Sequence, residues 1–421
     1  MKLQKTLQRL QKLHPKEIDL SLDRIKILLE KLGNPQDKIK AISIVGTNGK
    51  YSTINAIFSI LKETKLKCNV YTSPHINKIN ERFIFNNNEL SDEDLSNLFR
   101  KVEKINNNKT ITFFEILTAC YFYKAAEFPD NINLIEAGLF HRFDATNVLK
   151  ENLASVVCSC SIDHTDWLPK NERTIEKIIF EKTSTLLNSN IIVAKQRNNK
   201  TMNCIKDTIA QNSSNKVFFN DDYSYSTDKN NFFFYEDNLG KLKLPMPNVL
   251  GQFQLENVST AIATLKTLDI GIRNEDIKKG ITKITSLGRL QEIKSGKLKE
   301  IVKYNKLIVD GSHNEDGARA LNKYLQNLDC RKHVVLGMMA NKQHEKYISY
   351  FKNVSSITVV DIPNQPSSIN GIELKRKFKN LKNVRYETNI LKAIKSINLG
   401  KGDILLITGS LYLVGEVLNL N

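Results

Sequence analysis

The sequence predicts an α/β fold in two domains. Three observations carry that reading. Short apolar runs alternate with segments of helical periodicity along most of the 421 residues, as in parallel sheets whose crossover helices cover both faces. The alternation breaks between residues 215 and 245 and restarts near Gly288. A chain of this length also exceeds one ordinary core. A first domain is therefore placed over residues 1–288 and a smaller second α/β domain over 289–421.

Residues 1–40 read as two helical stretches, the second opened by Ile18-Asp19-Leu20-Ser21-Leu22-Asp23-Arg24 and closed near Gly33-Asn34-Pro35. Strands are predicted at 41–45, 67–72, 132–137, 154–161 and 190–194, with helices at 52–64, 91–105, 114–127 and 172–187. Segment 215–245, rich in Asn, Asp, Tyr and Phe, predicts a small β-hairpin insertion before a helix near 254–268. In the second domain strands are predicted at 306–310, 333–337, 356–361 and 403–408, with helices at 316–327, 342–351 and 389–396.

Composition narrows the class. The start, Met1-Lys2-Leu3-Gln4-Lys5, is polar and unlike a signal peptide, and no window reaches the apolar length of a membrane span. The six cysteines contain no C-x-x-C pair, which predicts reduced, mostly buried thiols in a cytoplasmic protein. Net charge is +17, but the lysines are spread along the chain and no basic run is interleaved with aromatics. The expectation is a solvated basic surface rather than a nucleic-acid footprint. Such a field still attracts anionic substrates.

The strongest chemical signal is the turn Gly46-Thr47-Asn48-Gly49-Lys50-Tyr51-Ser52-Thr53. It follows the apolar run 41–45 and precedes a helical pattern. Backbone N–H groups of a strand–glycine–helix turn face an anion, and the helix dipole adds to their pull. Lys50 brings a full charge, and Ser52 or Thr53 a hydroxyl. The turn therefore reads as a phosphate cradle, a P-loop-type ATP site. It lacks the first glycine of the common G-x-x-x-x-G-K-[ST] pattern, and Tyr51 separates the Lys from the hydroxyl.

Four further segments place polar residues after apolar runs, where open α/β sheets bind ligands. Ser73, in Thr72-Ser73-Pro74-His75, offers a hydroxyl to Mg²⁺. Glu136 ends an apolar strand, where a carboxylate is costly unless paired or metal-bound. Beyond it, Asp144-Ala145-Thr146-Asn147 is dense in donors and acceptors and suits a polar ring ligand. His164, in Ser161-Ile162-Asp163-His164, is a candidate metal ligand. In the second domain Asp310-Gly311-Ser312-His313-Asn314 suits a ribose hydroxyl at Asp310 and a phosphate or substrate at His313, and Arg289 suits phosphate.

Taken in order, these segments resemble the folylpolyglutamate synthase/dihydrofolate synthase family, a branch of the Mur ligase superfamily. The resemblance runs from His14-Pro15-Lys16-Glu17-Ile18-Asp19-Leu20 to Thr408-Gly409-Ser410-Leu411-Tyr412. It includes Ser73-Pro74-His75, Glu81-Arg82, Thr112-Phe113-Phe114-Glu115, Asp163 to Leu168, Glu181-Lys182 and Gly251-Gln252-Phe253-Gln254. It looks closest to the bacterial bifunctional form. It implies a P-loop-type ATPase domain and a Rossmann-like C-terminal domain. It also implies ATP-dependent joining of L-glutamate to dihydropteroate and to reduced folates through an acyl phosphate, with the use of two Mg²⁺ ions.

By the same resemblance Lys50, Lys182 and His313 are catalytic. Asn48, Gly49, Lys50, Tyr51, Ser52, Asn257, Arg289 and Asp310 hold the nucleotide. Asp19, Leu20, Ser21, Leu22, Thr112, Phe113, Phe114, Glu115, Phe143, Asp144 and Ala145 form the pterin site. Ser73, Glu136, His164 and Lys182 are metal ligands, Lys182 as a carbamate. The implied partners are small molecules alone, on a monomer, with no nucleic acid or membrane.

The chain departs from the family pattern at several positions. Tyr51 replaces a common Gly and either crowds the phosphates or points outward. Phe140-His141 replaces Gly-Gly, which predicts altered loop dihedrals. Ser21 replaces a Gly and Glu315 a Pro. These departures keep open a catalytically silent pterin- or nucleotide-binding protein. A Mur-type ligase for cell-wall precursors shares the fold but not Thr112–Glu115 or Asp144–Asn147.

Overall fold

The structure, a computed structural model, describes residues 2–16, 19–378 and 383–421. Glu17 and Ile18 of the first motif lie outside the described residues. The chain divides into two compact units. The first runs to Asn248 and adds Leu255–Ile284; the second comprises Val249–Gln254 and Thr285–Asn421.

Among the described residues the first unit holds one large sheet of β1 (Lys40–Val45), β2 (Cys68–Tyr71), β3 (Phe83–Phe85), β4 (Asn88–Glu89), β5 (Ile132–Glu136), β6 (Ala154–Val157), β7 (Asn190–Val193) and β8 (Lys216–Phe218). Their order is β4-β3-β2-β5-β1-β6-β7-β8. From β2 to β8 all neighbours are parallel, while β3 and β4 are antiparallel. Strands β2, β5 and β6 are buried throughout and β1 everywhere after Lys40, which is why they read as continuous apolar runs. On one side an aromatic core forms, with Tyr71 stacked on Tyr121 at 4.9 Å and Phe83 edge-on to Phe99 at 5.7 Å.

The predicted strand 154–161 stops at Val157. Residues beyond it leave the ladder because the Ser159 carbonyl accepts instead from Thr47 N at 2.8 Å and Asn48 N at 3.1 Å. The expected hairpin at 215–245 is two features. Its first residues, β8, extend the main sheet beside β7. The remainder folds as a separate antiparallel sheet of β9 (Tyr223–Thr227), β10 (Phe232–Asp237) and β11 (Gly240–Pro245). The β3–β4 hairpin was not anticipated, although its turn, Asn86-Asn87, has the positive φ values (51° and 69°) that Asn tolerates.

The second unit holds β12 (Gln291–Ile293), β13 (Lys306–Asp310), β14 (Lys332–Leu336), β15 (Ser356–Val360), β16 (Val384–Glu387) and β17 (Ile404–Thr408). The order is β12-β13-β17-β14-β15-β16, parallel except for β12. The edge strands β12 and β16 are short and polar, and the sequence pattern did not reveal them. All six cysteines are free thiols. Among the described residues no helix is long and apolar enough to cross a membrane.

Candidate functional site

The glycine turn is built by β1 and the helix Lys50–Leu61. Gly46 and Gly49 take φ of +138° and +91°. A Cβ on Gly46 would come within 2.8 Å of Cys158 Cβ, so only glycine lets the turn lie against the exit of β6. Thr47 clamps that exit twice, its hydroxyl donating to the Ser161 carbonyl at 3.1 Å and accepting from Ser161 N at 3.0 Å. The Asn48 amide donates to Ser161 Oγ at 3.2 Å. No side chain caps the helix that follows, so its first N–H groups keep the anion-binding character of an open helix start. Asn257, on the helix Gln252–Leu268, stands beside Gly49, with its Oδ1 2.5 Å from where a Cβ there would sit.

Charge converges on this turn. Lys50 Nζ donates to the Gly46 carbonyl at 3.3 Å and lies 3.7 Å from Glu136 Oε1. Glu136 is 4% exposed, and its Oε2 accepts from Ser73 N at 3.1 Å. Lys182, 3% exposed, donates to the carbonyls of Gly46 at 3.0 Å and Leu139 at 2.8 Å. Burial, helped by the charge of Lys50, lowers its amine to about 8. Lys182 thus ties the phosphate turn to the loop that leaves β5.

That loop leads to the second group of predicted residues. The Asp144 carboxylate is buried and takes four hydrogen bonds: Gly138 N at 2.9 Å, Leu139 N at 3.2 Å, Thr146 N at 3.0 Å and Thr146 Oγ1 at 2.6 Å. Burial raises its pKa against those four bonds. Asp144 thereby shapes the loop. Phe114 abuts the loop, its Cζ 3.0 Å from where a Gly138 Cβ would sit, and stacks on Tyr71 at 6.1 Å. Thr112 and Glu115 cap the helix Phe113–Ala125 reciprocally, Thr112 Oγ1 accepting from Glu115 N and Glu115 Oε2 from Thr112 N. Glu115 Oε2 also takes Arg24 Nε at 3.1 Å, and Arg24 pairs with Asp19 at 2.9 Å. Hydrogen bonding from Lys16, with the charge of Arg24, holds Asp19 below the usual carboxylate range. Arg24 links two predicted segments, yet nothing in its helical context marked it as a site residue.

The two glycine replacements settle into the core. Phe140 is 2% exposed and packs with Leu139, Leu168 and Ile178. His141 is buried with Nδ1 3.1 Å from Thr185 Oγ1. Neither takes a positive φ, so ordinary L-residue backbone serves here. Tyr51 lies in the first turn of its helix, partly exposed. His164 has φ +56° and a one-third exposed side chain whose Nε2 is 4.0 Å from Asp163 Oδ2.

In the second unit the ends of β13 and β12 gather Asp310, Arg289 and His313. Asp310 Oδ1 accepts from Ser312 N at 2.8 Å and Oδ2 from Leu290 N at 2.9 Å. Gly311 N donates to the Gly288 carbonyl at 2.9 Å. A Cβ on Gly311 would meet Arg289 Nη1 at 2.8 Å, so the arginine lies across this glycine. His313 Nδ1 is 2.9 Å from the Gly311 carbonyl, which only accepts, so Nδ1 carries the proton.

Comparison with known proteins shows what this chain is similar to. Residues 288–411 match the family described as Mur ligase, glutamate ligase domain. The dihydrofolate synthase/folylpolyglutamate synthase of Haemophilus influenzae is 28% identical, over 97% of this chain and 94% of its own. That of Bacillus subtilis is 28% identical over 94% of each. Escherichia coli FolC in complex with DHPP and ADP superposes with a TM-score of 0.87 at 25% identity, over 99% of this chain and 97% of that one. The Yersinia pestis bifunctional synthase, complexed with AMPPNP and Mn ion, does so equally well. The chain is thus similar along nearly its whole length to dihydrofolate synthase/folylpolyglutamate synthases, and its second unit carries the Mur ligase glutamate ligase domain.

The residues present fit a divalent cation. Among the described residues no three His, Cys, Asp or Glu side chains cluster. Glu136, a buried carboxylate, is instead the kind of lone oxygen donor that Mg²⁺ takes when substrate phosphates and water complete its shell, with the Ser73 backbone N–H bonded to its Oε2 at 3.1 Å.

Proposed function

We propose that this ligase joins L-glutamate to dihydropteroate, giving dihydrofolate, and to reduced folates, giving polyglutamates, at the expense of ATP. The supporting observation is the Lys182 tie, which joins an open, lysine-bearing helix start to the loop packed on Phe114. A phosphate donor and an aromatic acceptor thereby become neighbours within the first unit.

In the proposed reaction an acceptor carboxylate oxygen attacks the γ-phosphorus of ATP, and the bond to the ADP oxygen breaks. The glutamate amine then attacks the acyl carbon, the C–O bond to phosphate breaks, and the amine loses a proton. Both steps bring anions together, so neutralising charge and fixing positions are the main tasks. Lys50, with Asn48, Gly49, Tyr51 and Ser52 at the helix start, binds the phosphates, and Asn257 lines that turn. Ser73, Glu136, His164 and Lys182 are the proposed metal ligands; a divalent cation there supplies charge neutralisation between the two anions. Lys182 serves as a carbamate, a role favoured by its lowered pKa because only a neutral amine adds CO₂. Arg289, Asp310 and His313 form the second unit's nucleotide and substrate contacts. Asp19 to Leu22, Thr112 to Glu115 and Phe143 to Ala145 line the pterin side. Two cations and a monomeric state, which rest on the resemblance, and a cytoplasmic location, which rests on the reduced thiols, complete the proposal.

The test is ADP release by purified protein with ATP, Mg²⁺, L-glutamate and bicarbonate. Dihydropteroate, tetrahydrofolate and no acceptor are compared. Turnover with both acceptors is expected. Turnover with dihydropteroate alone limits the activity to dihydrofolate synthesis. Background rates with both acceptors, from folded protein, overturn the proposal.

A further inference from the structure

Two tyrosines one helical turn apart hold both ends of the turn that carries Asp310 and His313. Tyr347 lies in the short helix His344–Ile348, fully buried and 5.4 Å from the Phe351 ring. Its hydroxyl is 3.0 Å from Ser312 Oγ and 2.8 Å from Thr408 Oγ1, at the end of β17. Ser312 and Thr408 are themselves 3.5 Å apart. The Tyr350 hydroxyl donates to Glu315 Oε1 at 3.2 Å.

Packing alone does not call for these hydroxyls, since phenylalanine would fill nearly the same volume. A buried phenol needs hydrogen-bond partners, so its position is set by what it holds. Ser312 is gripped on three sides. Its N–H goes to Asp310, its hydroxyl faces Tyr347, and its Cβ presses on Gly317, where a Cβ would come within 2.6 Å. Asp310 passes the constraint on, because its other oxygen holds Leu290 N, next to Arg289. Thr408, Tyr347, Ser312, Asp310 and Leu290 are therefore one connected chain of hydrogen bonds. At the far end of the turn, Glu315 opens the helix Glu315–Gln326. A proline at that first position would fix φ by its ring; Glu315 has no such constraint and is held by Tyr350 instead.

We propose that Tyr347 is a positioning residue for the Asp310–Asn314 turn, acting through Ser312, and that Tyr350 supports the same turn through Glu315. The proposal rests on the reading of this turn as a nucleotide contact.

The test measures equilibrium ATP binding by the full-length protein, together with ADP release and thermal melting. The variants are Tyr347→Phe, Ser312→Ala, the two combined, and Tyr350→Phe. Tyr347→Phe and Ser312→Ala should each weaken ATP binding roughly five- to tenfold, the scale of one or two neutral hydrogen bonds. The double variant should be no worse than Tyr347→Phe. Tyr350→Phe should give a smaller loss of the same kind. Melting shifts without a change in ATP affinity, or losses that add in the double variant, overturn the positioning role. A wild-type protein that binds ATP but releases no ADP fails the ligase reading alone and leaves this comparison intact. A wild-type protein that binds no ATP overturns both.

Discussion

Lys182 Nζ donates to the Gly46 carbonyl at 3.0 Å, and its other backbone bond goes to Leu139. One buried cation thus fastens the start of the phosphate turn to the start of the loop shaped by Asp144. An ammonium has three N–H donors, whereas a carbamate nitrogen keeps one, so carbamylation must release one of the two carbonyls. The Phe140 ring, 5.3 Å from Nζ, favours the cation. An amine near 8 leaves roughly one in ten neutral at pH 7. We predict that ¹³C-labelled bicarbonate gives a carbamate resonance in wild-type protein, growing as pH rises from 7 to 9 at fixed dissolved CO₂. The resonance should be absent from Lys182→Arg and stronger in Phe140→Leu. A silent wild-type spectrum excludes the carbamate.

Lys182→Met should remove turnover and lower stability. It leaves the Leu139 carbonyl buried without this donor, at about 1–3 kcal/mol for an unsatisfied group, while the Gly46 carbonyl keeps Lys50 Nζ at 3.3 Å. The urea midpoint of the first unit reports the stability, and ADP release reports the activity. A variant with wild-type turnover would show that the tie is dispensable.

Gly49→Ala should weaken ATP binding by at least roughly tenfold. An L-residue in the left-handed region costs about 1–2 kcal/mol by itself, and the new Cβ would also stand 2.5 Å from Asn257 Oδ1. The side chain of Asn257 must then move away from the turn. Gly402→Ala is the control: its φ is +88° and nothing lies within 4 Å of the added atom, so it carries the backbone strain without the clash. Equal effects of the two changes on ATP affinity would refute a specific role for the Gly49–Asn257 contact.

Asp144→Asn separates loop shaping from ligand binding. The amide presents an NH₂ where the carboxylate accepted N–H groups, so at least one donor pair is set against another. A loss of about 3 kcal/mol in the first unit's stability is expected, the scale of hydrogen bonds to a buried charge. Dihydropteroate KM should rise with it. Intact stability with a raised KM would instead place the carboxylate on the ligand.

The sequence made the sheet legible because buried parallel strands are apolar throughout, and it made the phosphate turn legible because Gly46 and Gly49 have no substitute at their φ values. Polar edge strands such as β16 carry no such signature. Arg24 stayed hidden because an arginine on a helix is ordinarily solvated, and only the fold brings Glu115, 91 positions away, to its Nε. At Phe140 and His141 the pattern of residues alone does not report φ, and only the fold shows that neither takes a positive value. Asp144 stood out in the sequence as a candidate, yet its four loop contacts are tertiary facts that composition cannot show.

His141 should make the first unit acid-sensitive in a window set by its two pKa values. Burial first, then the charge of Lys182, lowers the folded imidazole from 6.5 to about 4. Between those values the unfolded chain binds a proton that the folded chain refuses, so acid favours unfolding. The contribution is complete above about pH 6.5, falls as pH drops, and is fully lost near pH 4. A shift of this size corresponds to about 3 kcal/mol at most. His75, lowered to about 4 by burial and Arg82, adds a slope of the same sign. Urea midpoints from pH 7 to pH 4 should therefore fall less steeply in His141→Asn than in wild type, with a residual slope from His75. Lys182→Met, which removes the neighbouring cation, should move the His141 transition to higher pH and shrink its contribution. Parallel curves for wild type and His141→Asn would mean that the folded protein admits the proton at His141 as readily as the unfolded chain does.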